Sequence, residues 1–298
     1  MDIAECNERE VVTVQVRSAD FAGSWYPGNE SECRRTIEDF IDPGLLCHSG
    51  TQKLAGGIVP HAGWFFSGKI ACNVIKCLKN EDEPSTCILF GHHMHPGSNN
   101  LIMSKGRWDT PLGELEIDEE VAEILISEYS FTIETSSYYE QDNTIEVQLP
   151  FIKYFIPKCR IVPMGLPPKT ASLEIARRAV EISRDLGQKT IVLGSTDLTH
   201  YGYNYGFFPK GEGSDAVEWV KNVNDKLAID LMMDLEGPKL ISEALKNSNA
   251  CCSGAAASAI EAAKVLGAKR GEMIAYSTSY DVRPDSSFVG YVGIVFSL

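Results

Sequence analysis

No apolar run in this sequence is long enough to cross a bilayer, and the opening MDIAECNEREVV lacks the basic-then-apolar pattern of a secretion signal. Positive charge is scarce: 27 Lys and Arg stand against 41 Asp and Glu, a net charge of −14. A surface of that sign repels phosphate backbones and anionic headgroups, which argues against nucleic acid and membranes as partners. There is no CxxC pair and no regular cysteine framework, only nine scattered cysteines, an odd number. Without a signal this pattern reads as reduced thiols in a cytoplasmic protein, with Cys72, Cys77 and Cys87 as small buried hydrophobes. Internal repeats, low-complexity tracts and Pro/Gly/Ser linkers are also missing. The 298 residues, 44% apolar, are therefore read as one domain over 1–298, with 1–20 as an N-terminal extension or edge strand.

What is present is an alternation of short β-branched runs with helical patterns. Strands are expected at Gly57–Val59, Thr86–Phe90, Leu101–Ser104, Phe131–Glu134, Arg160–Pro163, Thr190–Gly194, Met273–Thr278 and Val289–Phe296. Helices are expected at Glu32–Ile41, Gly68–Lys79 (capped by Ser67), Glu119–Glu128, Ile145–Phe155, Ser172–Leu186, Asp215–Met233, Pro238–Lys246 and Gly254–Leu266. This order predicts an α/β fold with a central mixed, mostly parallel sheet and helices on both faces. The Gly, Ala and Ser of the last helix predict close backbone approach beside the sheet. The aromatic, glycine-rich stretch Tyr201–Ser214 reads as a functional loop or lid.

Histidine is rare, six in all, so its placement carries information. His61 follows a strand in GGIVPHAGWFFSG. His92, His93 and His95 follow one in ILFGHHMHPG, and His200 follows one in IVLGSTDLTHYG, three residues after Asp197. Strand exits border the ligand crevice of an open α/β sheet, so one crevice could collect them. A histidine after a strand can equally be a loop residue bonded to backbone, and His92 and His95 are read as structural or outer residues. Cys251 and Cys252 open the small-residue helix, where the positive helix end favours a thiolate; both could instead be small residues in a crowded turn. Imidazole with thiolate suits zinc, iron or copper and not magnesium or calcium. Glu146 is either a first-turn charge or a pocket residue that orients a ligand. Asp109 and Glu114 read as turn and surface residues.

The segments AGSWYP, PHAGWFFSG, the strand followed by HH, WDTPLG, IEVQLPF, VPMGLP, the S-x-D-x-x-H of Ser195–His200 and FVGYVGIVF occur in an order that resembles the Memo-like family, over nearly the whole chain. That family is similar in fold to class III extradiol dioxygenases. The resemblance implies a transition metal, iron or copper first and zinc as an alternative, with His61, His93 and Cys251 as ligands and Asp197 and His200 beside it as catalytic residues. His200 would be the acid/base, because imidazole titrates near neutrality. It further implies a partnership with AMMECR1-like and radical SAM proteins, the AmmeMemoRadiSam trio. The pattern departs where Asp142-Asn143-Thr144 replaces Glu-His-Ser and where Cys252 replaces glycine. The leading expectation is a non-heme metal-dependent oxidoreductase, redox or dioxygenase-like. The alternatives are a binding module or adaptor that captures a peptide or small ligand in the same pocket, and a hydrolase with Cys251 as nucleophile.

Overall fold

Short runs of β-branched and aliphatic residues pack only if both their faces are covered, and the fold is built on that requirement. The computed structural model describes residues 15–45, 53–79 and 83–298. Its strands are β1 (Val16–Arg17), β2 (Leu54–Val59), β3 (Thr86–Gly91), β4 (Leu101–Met103), β5 (Arg107–Trp108), β6 (Leu115–Glu116), β7 (Thr132–Glu134), β8 (Arg160–Gly165), β9 (Thr190–Ser195), β10 (His200–Tyr201), β11 (Arg270–Thr278) and β12 (Phe288–Ser297). The helices are α1 (Glu30–Phe40), α2 (Trp64–Leu78), α3 (Glu119–Glu128), α4 (Asn143–Glu146), α5 (Leu149–Phe155), α6 (Thr170–Asp185), α7 (Ser214–Trp219), α8 (Asp225–Met233), α9 (Gly237–Asn247), α10 (Ser253–Val265) and α11 (Ser279–Val282).

Nine strands form one sheet in the order β10-β12-β2-β9-β3-β8-β4-β7, with β11 also paired to β12. The central β2, β9, β3 and β8 are parallel. Antiparallel pairing begins on either side, at β12 against β2 and at β4 against β8. Successive side chains of the central strands go to opposite faces, as the pleat dictates. Ile88, Phe90 and Val192 join the core with α3, α6, α8, α9 and α10. Cys87, Leu89, Ile191 and Leu193 join the other core with α1, α2 and α5. In α10 every residue from Ser253 to Ala263 is buried. A side chain on Gly254 would run into the Leu166 carbonyl, so the expected close approach holds.

Several local expectations are corrected. Helix α2 begins at Gly63, which caps it without a side chain; Ser67 lies inside the helix, where its hydroxyl donates to the Ala62 carbonyl. The helix expected over Ile145–Phe155 breaks into α4 and α5 because Pro150, which has no N–H to give, sits in the first turn of α5. Between α7 and α8 the stretch Val220–Asn224 is π-helical. Of the expected extension or edge strand over 1–20, residues 1–14 lie outside the described residues, and Val16–Arg17 pairs in parallel with β5. Cys33, Cys72, Cys87, Cys159, Cys251 and Cys252 are free thiols. Cys77, half-buried near the end of α2, is disulfide-bonded, so it is neither a reduced thiol nor a core residue like Cys72 and Cys87. Among the described residues no helix is long and apolar enough to cross a membrane.

Candidate metal centre

The site follows from strand order. Because β9 is inserted between β2 and β3, the connection through α2 crosses one face of the sheet and that through α6 crosses the other. Parallel strands place their carboxyl ends at one edge, so the segments after β2, β3 and β9 open into one crevice. His61 leaves β2, His93 leaves β3 and Asp197 leaves β9. The start of α10 brings Cys251 and Cys252 to the same point. One ligand atom from each of His61, His93, Cys251 and Cys252 lies within 4.8 Å of the others. Cys251 Sγ is 3.3 Å from His61 Nε2 and 3.7 Å from Cys252 Sγ.

Hydrogen bonds orient both imidazoles. Ser195 Oγ donates to the Thr144 carbonyl at 2.7 Å and contacts His61 Nδ1 at 3.0 Å. A hydroxyl has one proton to give, so Nδ1–H of His61 donates to Ser195 and Nε2 faces the cluster. His93 Nδ1 lies 2.9 Å from Asp142 Oδ2, which also accepts the His93 backbone N–H at 3.1 Å. His93 Nδ1–H therefore donates to a carboxylate, the arrangement that fixes the tautomer of metal-binding histidines. Asp142 Oδ1 caps α4 by accepting from Thr144 N at 2.9 Å, so a single carboxylate ties the cap to the imidazole.

Electrostatics follow the same contacts. The hydrogen bond to Asp142, followed by that to Cys251, raises the His93 pKa to about 10. Burial pushes the Asp142 carboxyl up, but His93 and His92 outweigh it and hold the group well below the usual range. Burial likewise opposes ionisation of Cys251, and the Cys252 hydrogen bond together with His61 and His93 brings its thiol well below the ordinary value. Burial and the neighbouring Cys251 push Cys252 up. Burial opposes protonation of His61, but Asp197 and Cys251 outweigh it and raise its pKa. A metal ion would stand where the two Nε2 atoms point.

The donor chemistry fits a borderline or soft transition metal. With metal–sulfur bonds of about 2.3 Å and metal–nitrogen bonds of about 2.05 Å, tetrahedral ligands would stand roughly 3.8 Å apart for two sulfurs and roughly 3.6 Å apart for sulfur and nitrogen. The observed 3.7 and 3.3 Å lie close to those values.

The remaining expected residues surround the cluster. Asp197 is buried; its Oδ1 accepts the His61 backbone N–H at 2.7 Å, and its Oδ2 stands 3.9 Å from His61 Nε2. His200 Nδ1 donates to the Leu198 carbonyl at 3.1 Å, and its ring meets the edge of Tyr205. That bond occupies Nδ1 and leaves Nε2 as the ring nitrogen on offer to the cleft. His61, His93, Asn143, Asp197 and His200 line one cleft of about 740 Å³, with Trp25, Phe65, Tyr205 and Arg283 among its other walls. Asn143 donates to the His61 carbonyl at 2.8 Å. Of the Tyr201–Ser214 stretch, only Tyr205 reaches this cleft wall.

His92 and His95 stay outside the cluster. His92, at φ +66°, is buried with Nε2 3.6 Å from Glu134, and that turn sends His93 towards the cleft. Glu146 is the first-turn charge of α4, the first of its two readings, and does not line the cleft. Its carboxylate accepts from Asp20 N, Phe21 N and the Tyr26 hydroxyl, which ties AGSWYP to α4. Sequence reasoning named Asp142 and Thr144 only as a departure from the family pattern and gave neither a role, although Asp-x-Thr at the start of α4 is a capping pattern.

The chain belongs to the Memo-like protein family, whose model matches residues 17–295. It is 32% identical to a MEMO1 family protein of Thermococcus onnurineus, over 94% of this chain and 99% of that protein. It is 33% identical to one of Methanopyrus kandleri, over 94% and 98%. Among solved structures, an uncharacterized protein of Escherichia coli K12 superimposes with a TM-score of 0.46 at 13% identity, covering 72% of this chain and 86% of that one.

Proposed function

We propose that this Memo-like chain binds one transition-metal ion through His61, His93 and Cys251, and that the ion serves a redox or dioxygenase-like reaction in the cleft. The carrying observation is that donors from three distant segments meet within 4.8 Å at the wall of a large cleft. Ser195 and Asp142 hold the two imidazoles with Nε2 towards that point. Iron, copper or zinc suits the donor set; when bound, such an ion would supply Lewis-acid or redox chemistry. His200 takes or returns a proton at Nε2, and Tyr205 holds its ring. Asp197 fixes the His61 backbone and presents a second carboxylate oxygen towards the cluster. The aromatic wall excludes water around a bound ligand.

The test is elemental analysis of protein purified anaerobically, wild type beside His61→Ala/His93→Ala/Cys251→Ala. Near-stoichiometric iron or copper, lost in the triple variant, supports the reading; zinc lost in the same way supports the metal site and counts against its redox role. A metal-free wild type that refuses all three ions on loading overturns it.

A second reading is a binding module without turnover, favoured by Phe65, 72% exposed on the cleft wall, and Trp25, 39% exposed. Saturable peptide binding that persists in the triple variant would support it.

A further inference from the structure

The three-ligand site leaves one donor of the cluster unused. Cys252 is fully buried, yet its sulfur lies in the group of four atoms that are mutually within 4.8 Å. It caps α10 with φ −118° and makes no capping bond with its side chain, so the sulfur is not committed to the helix. Its backbone is fixed: Cys252 N donates to Thr196 Oγ1 at 3.1 Å, and Cys251 N donates to the Asp197 carbonyl at 3.1 Å. Both thiols are thus held against the segment that leaves β9, with little freedom to separate.

We propose that Cys252 is a fourth ligand, and that the centre of two imidazoles and two thiolates selects a d10 ion, cuprous copper or zinc. This inference rests on the reading that the cluster holds a metal. Three observations carry it. The separation of the two sulfurs, 3.7 Å, is that of two ligands of one tetrahedral ion, about 3.8 Å. Two thiolates cancel the charge of zinc, which is on this count the better match of the two ions, and this matters at a point lined by the buried His61 and Cys252, where uncompensated charge is costly. Soft, four-coordinate N2S2 geometry suits zinc or cuprous ion better than ferrous iron, which favours open sites of histidine and carboxylate. Binding requires Cys252 as a thiolate and both imidazoles with Nε2 free of a proton, and any proton displaced passes to solvent. The rival fourth donor is Asp197, whose Oδ2 stands 3.9 Å from His61 Nε2.

X-ray absorption at the zinc edge of the zinc-loaded full chain decides between them, because sulfur scatters at about 2.3 Å and nitrogen or oxygen at about 2.0–2.2 Å. Two sulfurs in the wild type and one in Cys252→Ser, with zinc affinity at least tenfold weaker in the variant, is the expected result. One sulfur with an added light scatterer in the wild type overturns the four-ligand site and leaves the three-ligand reading intact. No uptake of zinc or cuprous copper by the wild type overturns the four-ligand site, and refusal of iron as well overturns both readings. The wild-type sulfur count decides even if Cys252→Ser fails to fold.

Discussion

Asp142→Asn is the substitution that tests the site's construction most directly. Asp142 serves two masters: Oδ1 caps Thr144 N at 2.9 Å and Oδ2 accepts His93 Nδ1–H at 2.9 Å and the His93 backbone N–H at 3.1 Å. Asparagine has one acceptor oxygen and one donor amide. If the oxygen keeps the cap, the amide faces His93 Nδ1, and the imidazole must move its proton to Nε2. That proton then points into the cluster and takes the lone pair a metal needs. Loss of such an outer partner weakens metal binding about 10- to 100-fold, equivalent to about 1.4–2.7 kcal/mol. The stability cost is smaller, because the His93 side chain is 48% exposed and its ion pair is screened; about 1 kcal/mol is the ceiling for such a pair. The assay is competition for zinc against a chromophoric chelator at pH 7, paired with urea unfolding of the metal-free protein. A zinc affinity within twofold of wild type would refute the tautomer argument. Unfolding that shifts by several kcal/mol would instead make Asp142 chiefly structural.

Other outcomes follow from the same contacts. The difference in metal-free stability between wild type and Asp142→Asn should be greatest between about pH 4 and 6.5, above the unfolded aspartate and below the unfolded histidine. It should shrink as pH rises through the folded His93 value of about 10, and again in acid, where Asp142 loses its charge; urea midpoints across pH measure this, and a flat difference would contradict the pairing. Arg17 is buried, bonded to Glu134 at 2.8 Å and sandwiched between Trp108 and Tyr139 at 3.7 and 4.0 Å. Arg17→Met strands the Glu134 carboxylate and should cost about 3–5 kcal/mol, a fall in Tm of roughly 6 °C for a chain of this size. The added change Glu134→Gln should return part of that, and calorimetry showing no coupling would count against the pair. In metal-free protein, alkylation of Cys251 by iodoacetamide should fall less steeply from pH 8 downwards than that of an ordinary thiol, because its thiol is held well below the ordinary value. An ordinary thiol slows about tenfold per unit, and that slope at Cys251, read by mass spectrometry, would sink the thiolate assignment.

The sequence by itself determined the class of fold and which histidines could share one crevice. Apolar runs such as Thr86–Phe90 must be buried on both faces, and patterned stretches such as Ser172–Leu186 must cover them, because a strand's period of two and a helix's period of 3.6 are local properties of the chain. His61, His93, Asp197 and His200 were legible for a related reason: strand exits in a parallel sheet share an edge. Only the tertiary structure decided that β9 enters between β2 and β3 and that α10 delivers Cys251 and Cys252 to the same point. It also decided that Asp142 and Ser195 set the imidazoles, and that Glu146 serves the AGSWYP turn and not the cleft. Those contacts join residues 49 to 190 positions apart. A hydrogen bond between distant side chains leaves no period or spacing in the chain, and it exists only once the sheet has set which strands are neighbours.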